Sequence, residues 1–378
     1  MRVDVHTLSA FNGVAQRGAE AASGALRSLT GESTDVDIRG VNIAPASAVH
    51  SHIDERQAAV MMELSGGVTG RAILTFSPSD AGRLRQALPT HVEDPSTAVL
   101  EVGNILIGRL LDDIANGLGT GIDASPPTGG RAGRAFGSDA TFLFECKLLA
   151  PRLGVAFDLY LRLRDGAFDR LLERESSPVA VPKSGTTAVS FNELSQFAQS
   201  VSSGVNQATT HASTMTGLDL SADPRGLRFV TLSDLTKFVA DDGRVGTAFS
   251  LSEPPGGFVV ITFDQSSADH MGRAMIPGEA SGGMVQDAML ELGNVMTSGL
   301  IDGWEPIFNN SIDHSAPVVI GGDADDGILD PFLNWLGRER EYGFLVDATI
   351  ETPNGDIGCD IYAMPDELEL LQALDAPS

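Results

Sequence analysis

Basic residues are scarce in this sequence. Its 378 residues include 51 Asp and Glu but only 25 Lys and Arg, which gives a formal net charge of −26. Lysine occurs only at Lys147, Lys183 and Lys237. A chain this acidic has no basic patch to neutralise phosphates, so nucleic-acid binding is excluded. Abundant acid with so little lysine resembles proteins of a molar-salt cytoplasm, as in halophilic archaea, where screening shrinks to about 3 Å.

Cysteine and long apolar runs are scarce too. Cys146 and Cys359 provide neither a metal-binding motif nor a disulfide framework, which favours a reducing compartment. The longest apolar runs, such as Phe258–Ile261, are far shorter than the roughly 20 residues of a membrane-spanning helix. The segment 1–4 opens no apolar core of signal-peptide length. We therefore expect a cytoplasmic protein that does not enter a membrane.

Several catalytic and metal-binding motifs are absent. There is no Gly-rich phosphate loop, and no Ser-His-Asp or Cys-His arrangement can be placed. Asp323–Gly327 resembles a calcium loop, but its glycine comes one position early and no glutamate follows at the required spacing. His50 and His52 lack a third ligand, which indicates surface histidines. We expect no metal or cofactor of the protein's own.

The sequence does contain an internal duplication. Residues 100–105 read Leu-Glu-Val-Gly-Asn-Ile and residues 290–295 read Leu-Glu-Leu-Gly-Asn-Val, a spacing of 190 (291 minus 101). Three other pairs of segments match at similar spacings, namely a predicted hairpin strand, a short segment after the repeated helix and a predicted final strand: 70–76 and 257–263, 122–125 and 312–315, and 158–160 and 360–362. A short terminal helix is expected after each final strand.

The duplication predicts two domains, and the chain is long enough for each to bury a core. We place the first domain at 1–175 and the second at 191–378. Residues 176–190 lie between them and are rich in Ser, Pro, Thr and Gly, which is typical of a linker.

Each repeated segment lies in an apolar run of helical length. At about 100° per residue, positions i, i+4, i+7 and i+11 fall on one stripe of a helix. These positions hold Thr97, Glu101, Asn104 and Gly108 in one copy and Asp287, Glu291, Asn294 and Ser298 in the other. One such stripe is expected on any amphipathic helix, but its recurrence favours a functional Glu-Asn pair. Gly103 and Gly293 also recur, and because glycine costs about 1 kcal/mol inside a helix, they predict close packing beneath.

These residues resemble the CheC-type phosphatases of chemotaxis, which are related to CheX and FliY. The family signature is Asp or Ser, three residues, Glu, two residues and Asn. Asp287, Glu291 and Asn294 match it in full. Glu101 and Asn104 also match, but Thr97 stands where the family has Asp or Ser. Threonine keeps a hydroxyl group, so the second copy is the better match.

The resemblance implies an α+β fold with two tandem CheC-like domains. Each would be an internal pseudo-repeat with an antiparallel-rich sheet and paired signature helices on one face. Two further half-sites should then exist, and they are found in degenerate form at Ser9, Gly13 and Gln16, and at Ser195, Gln199 and Ser202. None keeps both Glu and Asn, so we interpret them as structural, with Gln16 and Gln199 as candidates for residual activity.

The resemblance also implies hydrolysis of the aspartyl phosphate on the response regulator CheY. Asn104 or Asn294 would hold a water in line with phosphorus, and Glu101 or Glu291 would engage the regulator's active-site lysine. Thr97 or Asp287 would complete the docking edge, while the regulator supplies its own magnesium ion. CheD is a possible partner.

Two other interpretations stay open. One is a binding protein for phosphorylated CheY, CheD or an archaeal motor adaptor, without turnover. The other is a structural motor component, although the dimerising or rotor-binding segments of such relatives are not found. Exposure of both asparagines would favour the enzyme.

Overall fold

The structure is a computed structural model that describes residues 2–44, 57–87, 95–136, 141–164, 188–231, 244–252, 254–279, 281–308, 310–321 and 342–375. The chain divides into two compact units, Met1–Phe191 and Asn192–Ser378. The predicted linker falls mostly within 165–187, outside the described residues, so the linker and domain bounds stay predictions. The acidic segment 323–327 and both His50 and His52 also lie outside them.

The first unit contains an antiparallel sheet and two long helices. Its helices are α1 (Val5–Thr30), α2 (Pro78–Ala87) and α3 (Pro95–Gly117). Its strands are β1 (Arg2–Val3), β2 (Asp35–Ala44), β3 (Ala58–Gly66), β4 (Gly70–Phe76), β5 (Ile122–Ala124), β6 (Thr128–Arg131), β7 (Thr141–Ala150), β8 (Val155–Leu163) and β9 (Val189–Ser190). The sheet order is β2-β7-β8-β4-β3, with β5 and β6 both beside β3. β1 and β9 form a separate antiparallel pair.

The second unit repeats this arrangement. Its helices are α4 (Phe191–Thr216), which begins at the unit boundary, α5 (Gln265–Ala274), α6 (Gly282–Asp302), α7 (Glu305–Phe308) and α8 (Glu367–Asp375). Its strands are β10 (Ser221–Thr231), β11 (Arg244–Leu251), β12 (Gly257–Asp264), β13 (Val318–Gly321), β14 (Tyr342–Glu351) and β15 (Gly358–Pro365). The sheet order is β10-β14-β15-β12-β11-β13, and all neighbours are antiparallel.

Each unit is itself a repeat of one helix followed by three strands. In the first unit α1 precedes β2, β3 and β4, and α3 precedes β6, β7 and β8. Each strand of one set occupies the sheet position that mirrors its counterpart in the other set, so the strand order is the same from either edge. The predicted α+β fold with an internal pseudo-repeat is therefore confirmed. The predicted hairpins (β3 with β4, β11 with β12) and the terminal helix α8 are also present, while the segment after β8 is not described.

The long helices and a short loop cover opposite faces of the first sheet. Side chains alternate along a strand, so Val60, opposite Leu74, faces α3, and Ile73, opposite Tyr160, faces away. The far side is covered from residues 132–136, where the rings of Phe136 and Tyr160 meet edge to face at 4.9 Å. Both faces of the sheet are therefore covered, and the outer surfaces of α1 and α3 remain accessible to a partner.

Candidate functional site

The first site lies on the outer surface of α3. Glu101 and Asn104 are both exposed, while Val102 and Leu106 are buried against the sheet. Both side chains therefore lie on the outer face of the helix, as the helical period predicted. Thr97 belongs to α3, but its side chain lies outside the described part of the structure. The first site presents a carboxylate and a carboxamide one turn apart.

The second site lies at the corresponding place on α6. Asp287 and Glu291 are exposed and Asn294 is half-buried. On the opposite side of the helix Leu292 and Met296 are fully buried. The complete Asp-Glu-Asn stripe thus faces outward.

A glycine seats each signature helix on its sheet. A Cβ atom at Gly103 would lie 2.7 Å from Cγ1 of Val60 on β3, and one at Gly293 would overlap Oγ1 of Thr247 on β11. Val60 and Thr247 hold the same place in the two sheets, opposite Leu74 and Ile261 respectively. The close packing predicted from the two glycines is confirmed. It fixes the height and rotation of each helix, and so the direction of its polar stripe.

In the first unit α1 runs beside α3 and leaves a groove next to the signature pair. A Cβ at Gly18 would lie 2.8 Å from the carbonyl oxygen of Leu110, and one at Gly117 would lie 2.7 Å from Cγ1 of Val14, so the helices are antiparallel and close. Beyond these contacts small residues open a groove of about 680 Å³. Its lining comprises Ala21, Gly24, Ala25, Ser28 and Leu29 of α1, and Ile105, Arg109, Asp112, Asp113, Ala115 and Asn116 of α3.

In the second unit a histidine side chain lies at the equivalent place. His211 corresponds to Ala25 (211 minus 25 is 186, the spacing of the half-site residues Ser9 and Ser195). Its Nδ1 atom lies 3.4 Å from the carbonyl oxygen of Val295, and a Cβ at Gly299 would be 2.7 Å from the same nitrogen. The small side chain that opens the first groove is therefore replaced by an imidazole packed on α6.

Comparison with known proteins shows what this chain is similar to. No family model matches the chain. One relative is CheC1 from Halobacterium salinarum, which is named as a proposed CheY-P phosphatase. It is 29% identical over 189 residues, which cover 48% of this chain and 94% of the relative. Over about half of its length the chain is therefore similar to a CheC protein.

Two solved structures of this kind are similar to part of the chain. FliY from Thermotoga maritima is 15% identical and covers 52% of this chain and 96% of its own, with a TM-score of 0.37. The CheX-CheY-BeF3-Mg complex from Borrelia burgdorferi is 17% identical over 40% of this chain and 97% of that chain, with a TM-score of 0.32.

The degenerate half-sites lie on α1 and α4. Ser9 Oγ donates to the carbonyl oxygen of Val5 at 2.7 Å, and Ser202 Oγ donates to that of Ala198 at 3.3 Å, so both hydroxyls bond within their own helices. Gln199 is exposed, whereas Ser195 is buried and Gln16, like Gly13, is half-buried. These half-sites do not reproduce the exposed Glu-Asn pair of the family signature.

The second site contains a contact between Ser298 and His314 that the sequence did not predict. Ser298, on the signature stripe one turn after Asn294, lies 3.0 Å from Nε2 of His314. The spacing of 190 aligns these residues with Gly108 and Ala124 in the first unit. The change from Gly108 and Ala124 in the first copy to Ser298 and His314 in the second could have indicated a feature present only in the second site.

Other chemistry is not indicated in the described residues. Those ranges contain no cluster of three His, Cys, Asp or Glu side chains that could hold a metal ion. Cys146 and Cys359 are free thiols, and burial raises the pKa of both. A thiol with a raised pKa is a weak nucleophile. Over the same ranges no helix is long and apolar enough to span a membrane.

Proposed function

We propose that this protein is a CheY-P phosphatase that hydrolyses the aspartyl phosphate of a chemotaxis response regulator. The observation that carries the proposal is a Glu-x-x-Asn pair on a helix packed on the sheet through a glycine in both units, with Glu101, Asn104 and Glu291 exposed and Asn294 half-buried. Such a pair is placed to enter another protein's active site. The chain contains two such sites, the first at Glu101 and Asn104 and the second at Asp287, Glu291 and Asn294.

The proposed chemistry is the positioning of water. An acyl phosphate is already activated, so orienting an in-line nucleophile removes much of the remaining barrier. The carboxamide of Asn104 or Asn294 orients that water without adding a charge near the phosphate. Glu101 or Glu291 accepts a charge-assisted hydrogen bond from the regulator's lysine, and Thr97 or Asp287 completes the docking edge. Magnesium belongs to the regulator and neutralises phosphate charge there.

The same surface could instead bind phosphorylated CheY or CheD without turnover. A pure binder has no need of the asparagine, because a carboxylate stripe alone can dock on a lysine. Asn104 is exposed, so no described part of the chain covers it. Asn294 is half-buried, so exposure of the asparagine favours the phosphatase over the adaptor most directly at the first site.

The test is phosphate release from phosphorylated CheY with magnesium, in molar KCl. We expect the protein to accelerate release, Asn104→Ala and Asn294→Ala each to reduce the acceleration, and the double variant to lower it about 100-fold, the usual cost of losing a preorganised polar group. Asn116→Ala and Gln286→Ala change exposed amides elsewhere on the same helices and should have no effect.

Acceleration that survives the double change would contradict the assigned residues and point to Gln16 or Gln199. If release is not accelerated while phosphorylated CheY still binds, the protein is an adaptor.

A further inference from the structure

The second site contains a hydrogen-bonded serine and histidine beside its asparagine. Ser298 Oγ lies 3.1 Å from the main-chain carbonyl oxygen of Asn294 and 3.0 Å from His314 Nε2. The other ring nitrogen, Nδ1, lies 2.9 Å from the carbonyl oxygen of Ser315. We call Ser298 and His314 the Ser298–His314 pair.

The ring of His314 is held from several sides. Its backbone forms an antiparallel bridge with Leu251 at the end of β11, and its ring meets Phe249 edge to face at 5.3 Å. Ser315 adds two bonds to the same strand, since its amide donates to the carbonyl oxygen of Ser250 and its Oγ accepts from the Ser250 amide. The segment that carries the imidazole is therefore anchored to the sheet.

The direction of the hydrogen bonds follows from their partners. A carbonyl oxygen only accepts, so Nδ1 of His314 donates to Ser315, and in the neutral ring Nε2 is then an acceptor. The Ser298 hydroxyl lies between that nitrogen and the carbonyl oxygen of Asn294 and can donate to either. When it donates to Nε2, the hydroxyl joins α6 at Ser298, one turn after Asn294, to the segment anchored on β11.

The first unit lacks this connection although its surrounding framework is the same. Ser125 bonds to Glu63 in the way that Ser315 bonds to Ser250, at 2.9 Å from the amide to the hydroxyl oxygen. Gly108 and Ala124, however, stand where the second unit has Ser298 and His314. The two sites therefore share one frame but differ in the support behind the asparagine.

We propose that Ser298 and His314 are positioning residues that hold Asn294 in its water-orienting geometry, and that they make the second site the faster of the two. This inference rests on the proposed phosphatase function. Because the Ser298 hydroxyl lies against the main-chain carbonyl oxygen of Asn294, one turn before it, and no described bond joins the pair to the docking residues Asp287 and Glu291, the pair should act on turnover and leave the binding of the regulator unchanged.

The second site is measured alone in the Asn104→Ala background by phosphate release from phosphorylated CheY. We expect His314→Ala and Ser298→Gly each to lower kcat about tenfold, equivalent to about 1.4 kcal/mol, with KM unchanged. Ser298→Thr keeps a hydroxyl that can bond the preceding turn and should restore most of kcat. His270→Ala, at an exposed histidine of α5, is the matched control and should change neither constant.

The reciprocal experiment transfers the pair to the first site in the Asn294→Ala background. A Cβ atom at Gly108 would have open space around it, with nothing within 4 Å, and Ala124 is exposed, so Gly108→Ser with Ala124→His should be accommodated and should raise kcat. Unchanged kcat in His314→Ala would overturn the inference while the phosphatase function stands. A second site that is inactive beside an active first site would also overturn it, whereas inactivity of both sites would refute the proposed function itself.

Discussion

Gly103 and Gly293 show how one missing side chain can orient a functional helix. Val60 is buried beneath Gly103, and Thr247 is buried beneath Gly293. A methyl group at either position would lift or rotate the helix and turn its polar stripe. Gly103 lies between Glu101 and Asn104 in the sequence and faces the sheet. Its close packing on Val60 therefore sets the outward direction of both side chains.

The first prediction at this scale compares two glycines of α3. Gly103→Ala should lower the free energy of unfolding by about 1–3 kcal/mol because it overpacks the helix against Val60. Gly108→Ala meets no neighbour within 4 Å and should raise that free energy by about 1 kcal/mol through helix propensity. Urea unfolding measures both. In a double-mutant cycle Val60→Ala should relieve part of the cost of Gly103→Ala, and strictly additive costs would contradict the proposed contact.

At the scale of elements, equivalent helices of the two units begin with different caps. Asp264 precedes α5, and its carboxylate accepts from the Ser267 amide at 2.7 Å and from the hydroxyls of Ser266 and Ser267. Ser77 precedes α2 at the corresponding position, after the matching strand. Burial acts to raise the pKa of Asp264, but the hydrogen bonds from Ser266 and Ser267 outweigh it, so the pKa lies below its usual 3.8.

The contribution of the Asp264 cap to the free energy of unfolding should depend on pH. Asp264→Ala should cost about 1 kcal/mol of unfolding free energy at neutral pH. Because the folded pKa is depressed, the ionised cap stabilises the fold above the unfolded pKa and loses that effect as pH falls through the folded pKa. Asp264→Ser, which copies Ser77 of the first unit, should keep most of the cap and lose the pH dependence. Urea midpoints measured between neutral and strongly acid pH test this, and a cost of Asp264→Ala that grows in acid would refute it.

At the scale of the whole molecule, charge opposes compactness. A net charge of −26 on 378 residues generates repulsion that folding intensifies and salt screens. The cations that could offset it are already paired in several places, as with Arg39 and Glu145 at 2.6 Å and Arg228 and Asp347 at 2.7 Å. The stability of the fold should therefore depend on the salt in which it is measured.

The corresponding prediction concerns the urea midpoint. It should rise between about 0.1 M and about 1 M KCl, because the screening length falls from about 10 Å to about 3 Å over that range. A neutral osmolyte at matched osmolality is the control and should not reproduce the salt curve. A midpoint that falls or stays constant with KCl would show that repulsion does not limit stability.

The duplication, the polar stripe of each signature helix, the hairpins and the final strands could all be predicted from the order of the residues. Those are local patterns, set by a helical period near 3.6 and a strand period of 2. The sequence also predicted that Gly103 and Gly293 lie in close packing, because an internal glycine is costly unless something approaches it. The roles of the site residues, and the halophilic source suggested by composition, stay predictions.

What lies beneath and beside those helices could not be predicted in this way and is known from the folded structure. That structure placed Val60 and Thr247 under the glycines, opened a groove along α3, and put the Ser298 hydroxyl against His314. Residues 298 and 314 belong to different elements, and their contact depends on the return of the chain to the edge of β11. No periodicity along the sequence encodes that distance, because it is set by packing between segments that the chain brings together only when folded.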